Sequence, residues 1–205
     1  AYPAISHRSS NGPQLQAVEG NPRQKTVHWK TVDCITEPGR IASLAVDAAA
    51  RGARVLVVRN TVPAAIATLQ AVEAVAAASA VDCLFKVGGV STLHHSRFSR
   101  QDRPLLDAQV QEQIGKQRST RPGGAGLVVI GTQTLEQSLD IDADLLITDL
   151  CPMDVLLQRL GRLHRHAREQ RPTGYEQARA WVLTPADHDL SPLLQRQSHG
   201  LGPIR

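Results

Sequence analysis

Aromatic side chains are scarce: only 3% of the 205 residues are Phe, Trp or Tyr. Base stacking therefore cannot be the main way this chain would hold a nucleic acid. Cysteine is scarcer still. Cys34, Cys83 and Cys151 are odd in number, widely spaced and part of no metal-like cluster, which reads as reduced, buried thiols in a reducing cytoplasm. No apolar run approaches the roughly 20 residues of a membrane span, and the N-terminus lacks a basic region followed by an apolar stretch. A Gly-x-x-x-x-Gly-Lys-Ser/Thr loop is missing too; the one Gly-Lys pair, Gly115-Lys116, is followed by Gln117. Nor is there an Asp-Glu-x-His strand end. The residues for a phosphate cradle with its Mg²⁺ are thus lacking, which excludes a P-loop enzyme acting alone.

What is present is an ordinary globular composition, 41% hydrophobic and 20% charged, long enough for one sizeable core. The net charge of +4 and a pI near 9.3 permit a polyanionic partner without requiring one. Residues 1–25 are rich in Ser, Asn, Gly, Pro and Gln with no period and read as a linker or tail. The chain begins at Ala1 in this polar segment and reads as a fragment or excised domain; 26–205 read as one domain.

Lys25–Cys34 alternates as a strand through Val27, Trp29 and Val32. Gly39–Arg51 predicts a helix, Arg54–Arg59 a buried strand, and Pro63 opens an Ala-rich helix through Ala78. Asp82–Val87 and Val90–His94 supply one or two strands and Arg103–Lys116 a helix. Leu127–Thr132, Asp144–Thr148 and Ala180–Thr184 are further strands, with a helix over Asp154–His166 between the last two. Strands alternating with helices predict an α/β fold, a mostly parallel sheet covered on both faces. Ligands of such sheets collect beyond the carboxyl ends of the strands, where Thr132–Asp140 and Asp149–Asp154 are expected.

The densest chemistry lies in 129–166. Glu136, Asp140, Asp142, Asp144, Asp149 and Asp154 occur with no Lys or Arg between Leu127 and Asp154, and Arg159, Arg162 and Arg165 follow. The split suits a loop contacting hydroxyls beside a helix that delivers guanidinium groups to phosphate. In that helix Leu156, Leu160 and Leu163 form the expected buried stripe, and Gln158, Arg162 and Arg165 repeat its spacing on the opposite face. Gly161 between them permits close backbone approach. Alone, the helix also reads as amphipathic with a solvated basic face; the Ser138–Asp140 loop beside it favours the phosphate reading. His164 and His166 have no acidic or thiol pair at ligand spacing, so no metal site is expected. His188-Asp189 is an isolated dipeptide.

Thr132-Gln-Thr-Leu-Glu-Gln-Ser-Leu-Asp-Ile-Asp142 and Gln158-Arg-Leu-Gly-Arg-Leu-His-Arg-His166 resemble motifs V and VI of superfamily 2 helicases. The wording is most similar to the CRISPR-associated helicase-nuclease of type I interference systems. Leu93-His94-His95-Ser96-Arg97-Phe98, followed by Asp102-Arg103, resembles the His-Ser-Arg-Phe segment of that family, and Val55–Thr61 is similar to motif IV. The resemblance covers about residues 26–185. It implies the second RecA-like domain of an ATP-dependent DNA helicase. Arg162 and Arg165 would be arginine fingers for ATP held with Mg²⁺ mainly by the first RecA-like domain. Gln158, Arg159, Gly161 and Asp140 would support the nucleotide, Asp140 by accepting from the ribose. Thr132, Gln133 and the backbone near Ser138 would touch single-stranded DNA, as would His95, Ser96 and Arg97, which otherwise read as a polar strand end. The implied partners are the first RecA-like domain, single-stranded DNA and an RNA-guided surveillance complex, in the cytoplasm and away from membranes. Alternatives are another superfamily 2 helicase or translocase, a non-catalytic nucleic-acid-binding module, or a docking target for a regulator such as a phage inhibitor.

Overall fold

Three fully buried strands carry the molecule because every one of their side chains is apolar or locally paired. In the computed structural model, which describes residues 4–9, 12–17, 25–118, 124–136 and 139–194, β4 (Arg54–Val58), β7 (Leu127–Gly131) and β8 (Leu145–Asp149) are buried at all five positions. Continuous apolar runs of this kind belong to parallel strands covered on both faces. The five-stranded sheet also contains β3 (Val27–Val32) and β9 (Ala178–Leu183) and has the order β3-β9-β8-β4-β7, all parallel. The expected α/β architecture therefore holds.

Successive side chains of these strands point to opposite faces and fill two cores. Val55, Val57, Val128, Ile130, Leu145 and Ile147 meet α1 (Pro38–Ala50) and α2 (Val62–Ala78). Leu56, Val58, Leu127, Val129 and Leu146 meet α3 (Asp102–Ile114), together with Leu135, Leu139, Ile141 and Leu163. Small side chains let α1 approach the sheet closely: Ala42, Ala45, Ala48 and Ala49 are fully buried. The start of α2 follows its sequence signals, with Thr61 Oγ1 accepting from the Ala64 N–H at 3.3 Å and proline in the first turn.

Four expectations need correction. The strands expected over 82–94 do not join the sheet as such. Lys86–Val87 and Val90–Ser91 (β5 and β6) form a small antiparallel hairpin around Gly88 and Gly89, whose φ angles of 58° and 83° suit glycine. Only the flanks of this hairpin touch β7, through isolated bridges at Leu84–Val128 and His94–Gly131. Trp29 of β3 is not buried; β3 is an edge strand and Trp29 is 65% exposed. Within 1–25, Ala4–Ser9 and Gly12–Ala17 (β1 and β2) pair as a separate antiparallel hairpin.

The fourth concerns the helix expected over Asp154–His166. The observed helix, α4, is Met153–Leu160. Gly161 lowers the helical propensity there, and a tertiary backbone pairing competes with the next turn. The Ala143 N–H donates to Arg162 O at 2.9 Å and the His164 N–H to Ala143 O at 3.0 Å, drawing Leu163 into a parallel bridge. His164 turns the chain with φ of 42°. Lys25 Nζ caps the exposed helix end, donating to Leu160 O at 2.7 Å and Leu163 O at 2.5 Å.

Candidate nucleotide and nucleic-acid site

The early helix end changes the geometry of the arginines. Arg162 and Arg165 do not leave a helix face beside Gln158; they sit on the irregular segment after α4. This segment lies next to Ala143 and Asp144, at the amino ends of β4 and β8, since Asp144 N donates to Arg54 O at 2.9 Å. The expected placement at carboxyl strand ends therefore holds for Thr132–Glu136 but not for Asp140 or the arginines. Asp140 and the run to Asp144 descend along the sheet, and α4 returns the chain beside them.

The charge split read from the sequence closes mostly on itself. Arg165 Nε lies 2.9 Å from Asp140, and His166 Nε2 lies 2.8 Å from the same carboxylate. Arg168 pairs with Asp142; Arg171 reaches Asp142 at 2.9 Å and Asp144 at 2.6 Å. Arg118 reaches Asp144 at 3.3 Å and Arg59 reaches Asp149 at 2.8 Å. Burial pushes the Asp142 carboxyl up, but hydrogen bonds and charge from Arg171 and Arg168 more than offset it and hold it below the usual carboxylate range. The acidic run thus anchors the arginines that follow it, rather than standing free to meet ligand hydroxyls.

Arg159 is corrected most sharply. It was expected at the nucleotide, yet it is 1% exposed. Its guanidinium donates to Glu136 at 2.8 Å, Thr148 Oγ1 at 2.6 Å, Asp149 O at 3.2 Å and Asn60 Oδ1 at 3.0 Å. In this arrangement it positions three strand ends and has no donor turned to a phosphate. Thr132 is buried as well, with its N–H donated to His94 O at 2.9 Å, so its side chain does not face a strand. Asp140 accepts from Arg165 and His166 rather than standing open for a ribose. Ser138 lies outside the described residues.

Other expected residues are accessible. Gln158 and Gly161 are exposed, and Gly161, His164, Arg165, His166, Arg168 and Arg171 line a cleft of about 860 Å³ with Lys25. Arg162 is half-buried and donates to the carbonyls of Glu136 and Leu139; its Nε is buried without an acceptor. Gln133 is exposed and donates to Asn60 O at 3.0 Å. His95 stacks on Phe98 with ring centroids 4.5 Å apart, and Ser96 and Arg97 are exposed beside it. Among the described residues no group of three His, Cys, Asp or Glu side chains could hold a metal ion, and no helix is long and apolar enough to cross a membrane.

Sequence reasoning missed Asn60, Glu136, Lys25 and His94 as organising groups. Their partners are far along the chain, and only their residue types hinted at the roles.

The family model described as CRISPR-associated nuclease/helicase Cas3, C-terminal, matches residues 51–168, which include α4, the Thr132–Asp140 loop and Arg162 to Arg168. The chain belongs to this Cas3 C-terminal family. It is 34% identical over 194 residues to the CRISPR-associated endonuclease/helicase Cas3 of Escherichia coli K12, covering 90% of this chain and 20% of that protein. A crystal structure of T. fusca Cas3 with ATP superposes with a TM-score of 0.73 at 28% identity, covering 90% of this chain and 22% of that one. A chain in a CRISPR RNA-guided surveillance complex in a pre-nicking state matches with a TM-score of 0.58 at 28% identity, over 82% of this chain and 20% of that one. The chain thus spans about a fifth of the length of these Cas3 relatives. Its sheet is the RecA-like fold that they share.

Proposed function

We propose that this chain is the second RecA-like domain of an ATP-dependent superfamily 2 DNA helicase that works in type I CRISPR interference, unwinding foreign DNA for an attached nuclease. The observation that carries the reading is the double engagement of one loop. Arg162 and Arg165 both bind the Glu136–Asp140 segment, while the start of the same loop is bonded to His94, next to His95–Arg97. A loop held in this way links guanidinium groups on one side to a strand-binding segment on the other.

Bound ATP with Mg²⁺ supplies the phosphoryl group for transfer to water, and the first RecA-like domain holds most of it. The residues here fit a triphosphate as a second wall: guanidinium forks, an unpartnered Arg162 Nε–H and no cradle of their own. Arg162 and Arg165 stabilise the charge that develops on the γ-phosphate, Gln158 and Gly161 border them, and Arg159 holds their segment in register. Gln133, Ser138, His95, Ser96 and Arg97 contact strand phosphates. The partners of this reading are single-stranded DNA, the first RecA-like domain and an RNA-guided surveillance complex.

The test is steady-state ATP hydrolysis by the full-length protein carrying Arg162→Ala or Arg165→Ala. Each variant is expected to lose roughly 10³-fold or more in turnover while ATP binding persists, because an arginine finger acts mainly in the transition state. Normal turnover in both would overturn the assignment. This chain alone is expected to release no phosphate above background.

A further inference from the structure

Only the backbone of His94 entered the site described above, yet three segments meet on this residue. It is fully buried. Its backbone N–H donates to Ile130 O at 2.9 Å and its carbonyl accepts from the Thr132 N–H at 2.9 Å, so the main chain is locked to the end of β7 on both sides. Gly131 makes that approach possible: a Cβ there would lie 2.4 Å from His94 O. The imidazole then reaches two further elements. Nδ1 lies 2.6 Å from Thr134 Oγ1 in the turn after β7, and Nε2 lies 2.6 Å from Asp107 on α3. Asp107 is in turn held by Arg103 at 3.1 Å, one helical turn earlier.

We propose that His94 is a positioning residue that fixes the strand-binding segment His95–Arg97 to the Thr132–Leu135 turn, making DNA stimulation of ATP hydrolysis depend on this imidazole. The inference rests on the helicase reading and deepens it. The hydrogen-bond inventory gives the link a direction. The Asp107 carboxylate, paired with Arg103, only accepts, so Nε2 carries the proton, and the Thr134 hydroxyl, which also lies 3.1 Å from the His94 carbonyl, donates over the shorter 2.6 Å to Nδ1. Burial, outweighing the Asp107 hydrogen bond, lowers the His94 pKa and favours this singly protonated ring. The chain thus runs from the Thr134 hydroxyl through the ring to Asp107 and fixes the rotamers at both ends. His95, whose ring stacks on Phe98, follows immediately, so any load on Ser96 or Arg97 is transmitted to a backbone already bonded to Ile130 and Thr132.

A histidine that only fills the core would give a different result on substitution. Asp107 is 33% exposed at its side chain and Thr134 is half-buried, so both rehydrate when the ring is removed, and the fold survives. The experiment compares His94→Leu, Thr134→Val, Thr134→Ser and the His94→Leu/Thr134→Val double variant in the full-length protein. Basal ATPase, the single-stranded DNA concentration giving half-maximal stimulation, and Tm are measured. His94→Leu and Thr134→Val are each expected to raise the half-maximal DNA concentration about fivefold, with basal turnover and the KM for ATP within about twofold of the parent, as befits loss of one buried hydrogen-bond network. Thr134→Ser keeps the hydroxyl and should behave as the parent. The double variant should fall short of the product of the two single effects, since both changes break the ring–Thr134 link, although Thr134→Val also removes the hydroxyl's bond to the His94 carbonyl. Unchanged half-saturation, equal loss of basal and stimulated rates, additive effects in the double variant, or a Thr134→Ser that matches Thr134→Val would each overturn the proposal. If His94→Leu fails to fold, Thr134→Val and Thr134→Ser still decide it. Lack of DNA stimulation in the unsubstituted protein would overturn the helicase reading itself, and the coupling with it.

Discussion

Asp140 holds Arg165 through a 2.9 Å ion pair, and both side chains are nearly half exposed, at 41% and 44%. An arginine that is to reach a phosphate on another domain must first leave this carboxylate. Because the pair is open to water, leaving costs little: exposed ion pairs contribute about 0–1 kcal/mol. His166 shares the carboxylate, so Asp140 is not stranded when Arg165 departs.

Asp140→Ala is therefore expected to leave the melting temperature within a few degrees of the parent. In the full-length protein it should weaken stimulation of ATPase by single-stranded DNA more than it changes the basal rate, because the loop loses its link to Arg165 and keeps only those that Arg162 makes to the Glu136 and Leu139 carbonyls. Melting temperature, basal rate and DNA-stimulated rate are measured together. An unchanged stimulation ratio in a destabilised protein would show that Asp140 only fastens the loop.

Arg159→Ala should act on stability instead. Removing the guanidinium leaves Glu136 as a buried charge whose 2.8 Å partner is gone, and strips donors from Thr148 and Asn60. Breaking one side of a buried pair costs about 3–5 kcal/mol. Chemical denaturation should show that loss, and Arg159→Lys should recover little of it because an ammonium cannot reproduce the fork. A variant with parental stability would contradict the positioning role.

How far the sequence carried these conclusions depended on the range of the forces involved. The runs Arg54–Arg59, Leu127–Thr132 and Asp144–Thr148 were legible as buried strands because burial on both faces leaves a continuous apolar signature. Thr61 and Pro63 marked the start of α2 for local reasons. The family wording brought together Arg162, Arg165 and the loop before them. The end of α4 was not legible: Gly161 is a hint, but the competing bridge comes from Ala143, 20 positions away in the chain. The burial of Arg159 was only partly legible. Three residues after Leu156 and four before Leu163, it flanks the expected buried stripe where Arg162 does not, but its partners Asn60, Glu136 and Thr148 come together only in three dimensions. His94 reads as one of two adjacent histidines until Thr134 and Asp107 arrive from 40 and 13 residues away.

Gly131→Ala tests the close approach on which the His94 contacts depend. The added methyl would lie 2.4 Å from His94 O and 2.6 Å from Leu135 Cδ1. The Leu135 side chain can give way, but the backbone carbonyl cannot without moving the 93–95 segment. Overpacking of this kind costs about 1–3 kcal/mol, and thermal unfolding should register it. A silent substitution would mean that the segment sits farther from β7 than described.

His164 offers a pH-dependent test. Its ring pKa is lowered to about 4, first by burial and then by the charge of Arg171, and its Nε2 is buried without a hydrogen-bond partner. In the unfolded chain an ordinary histidine titrates near 6.5. The folded state therefore prefers the neutral ring. Its contribution to stability is complete above about pH 6.5 and is lost as pH falls through the window down to about 4, where the folded ring protonates too. With allowance for solvent screening of a half-buried group, the loss is of the order of 1–2 kcal/mol. Asp142, held below the usual carboxylate range, keeps its own contribution to lower pH and does not obscure the window. His164→Asn removes the titration, and asparagine tolerates the φ of 42° better than most residues do. The melting temperature of the parent should therefore drop between pH 6.5 and 4.5 by several degrees more than that of His164→Asn. Parallel pH profiles for the two proteins would show that His164 is charged or solvated in the folded chain, contrary to the burial described.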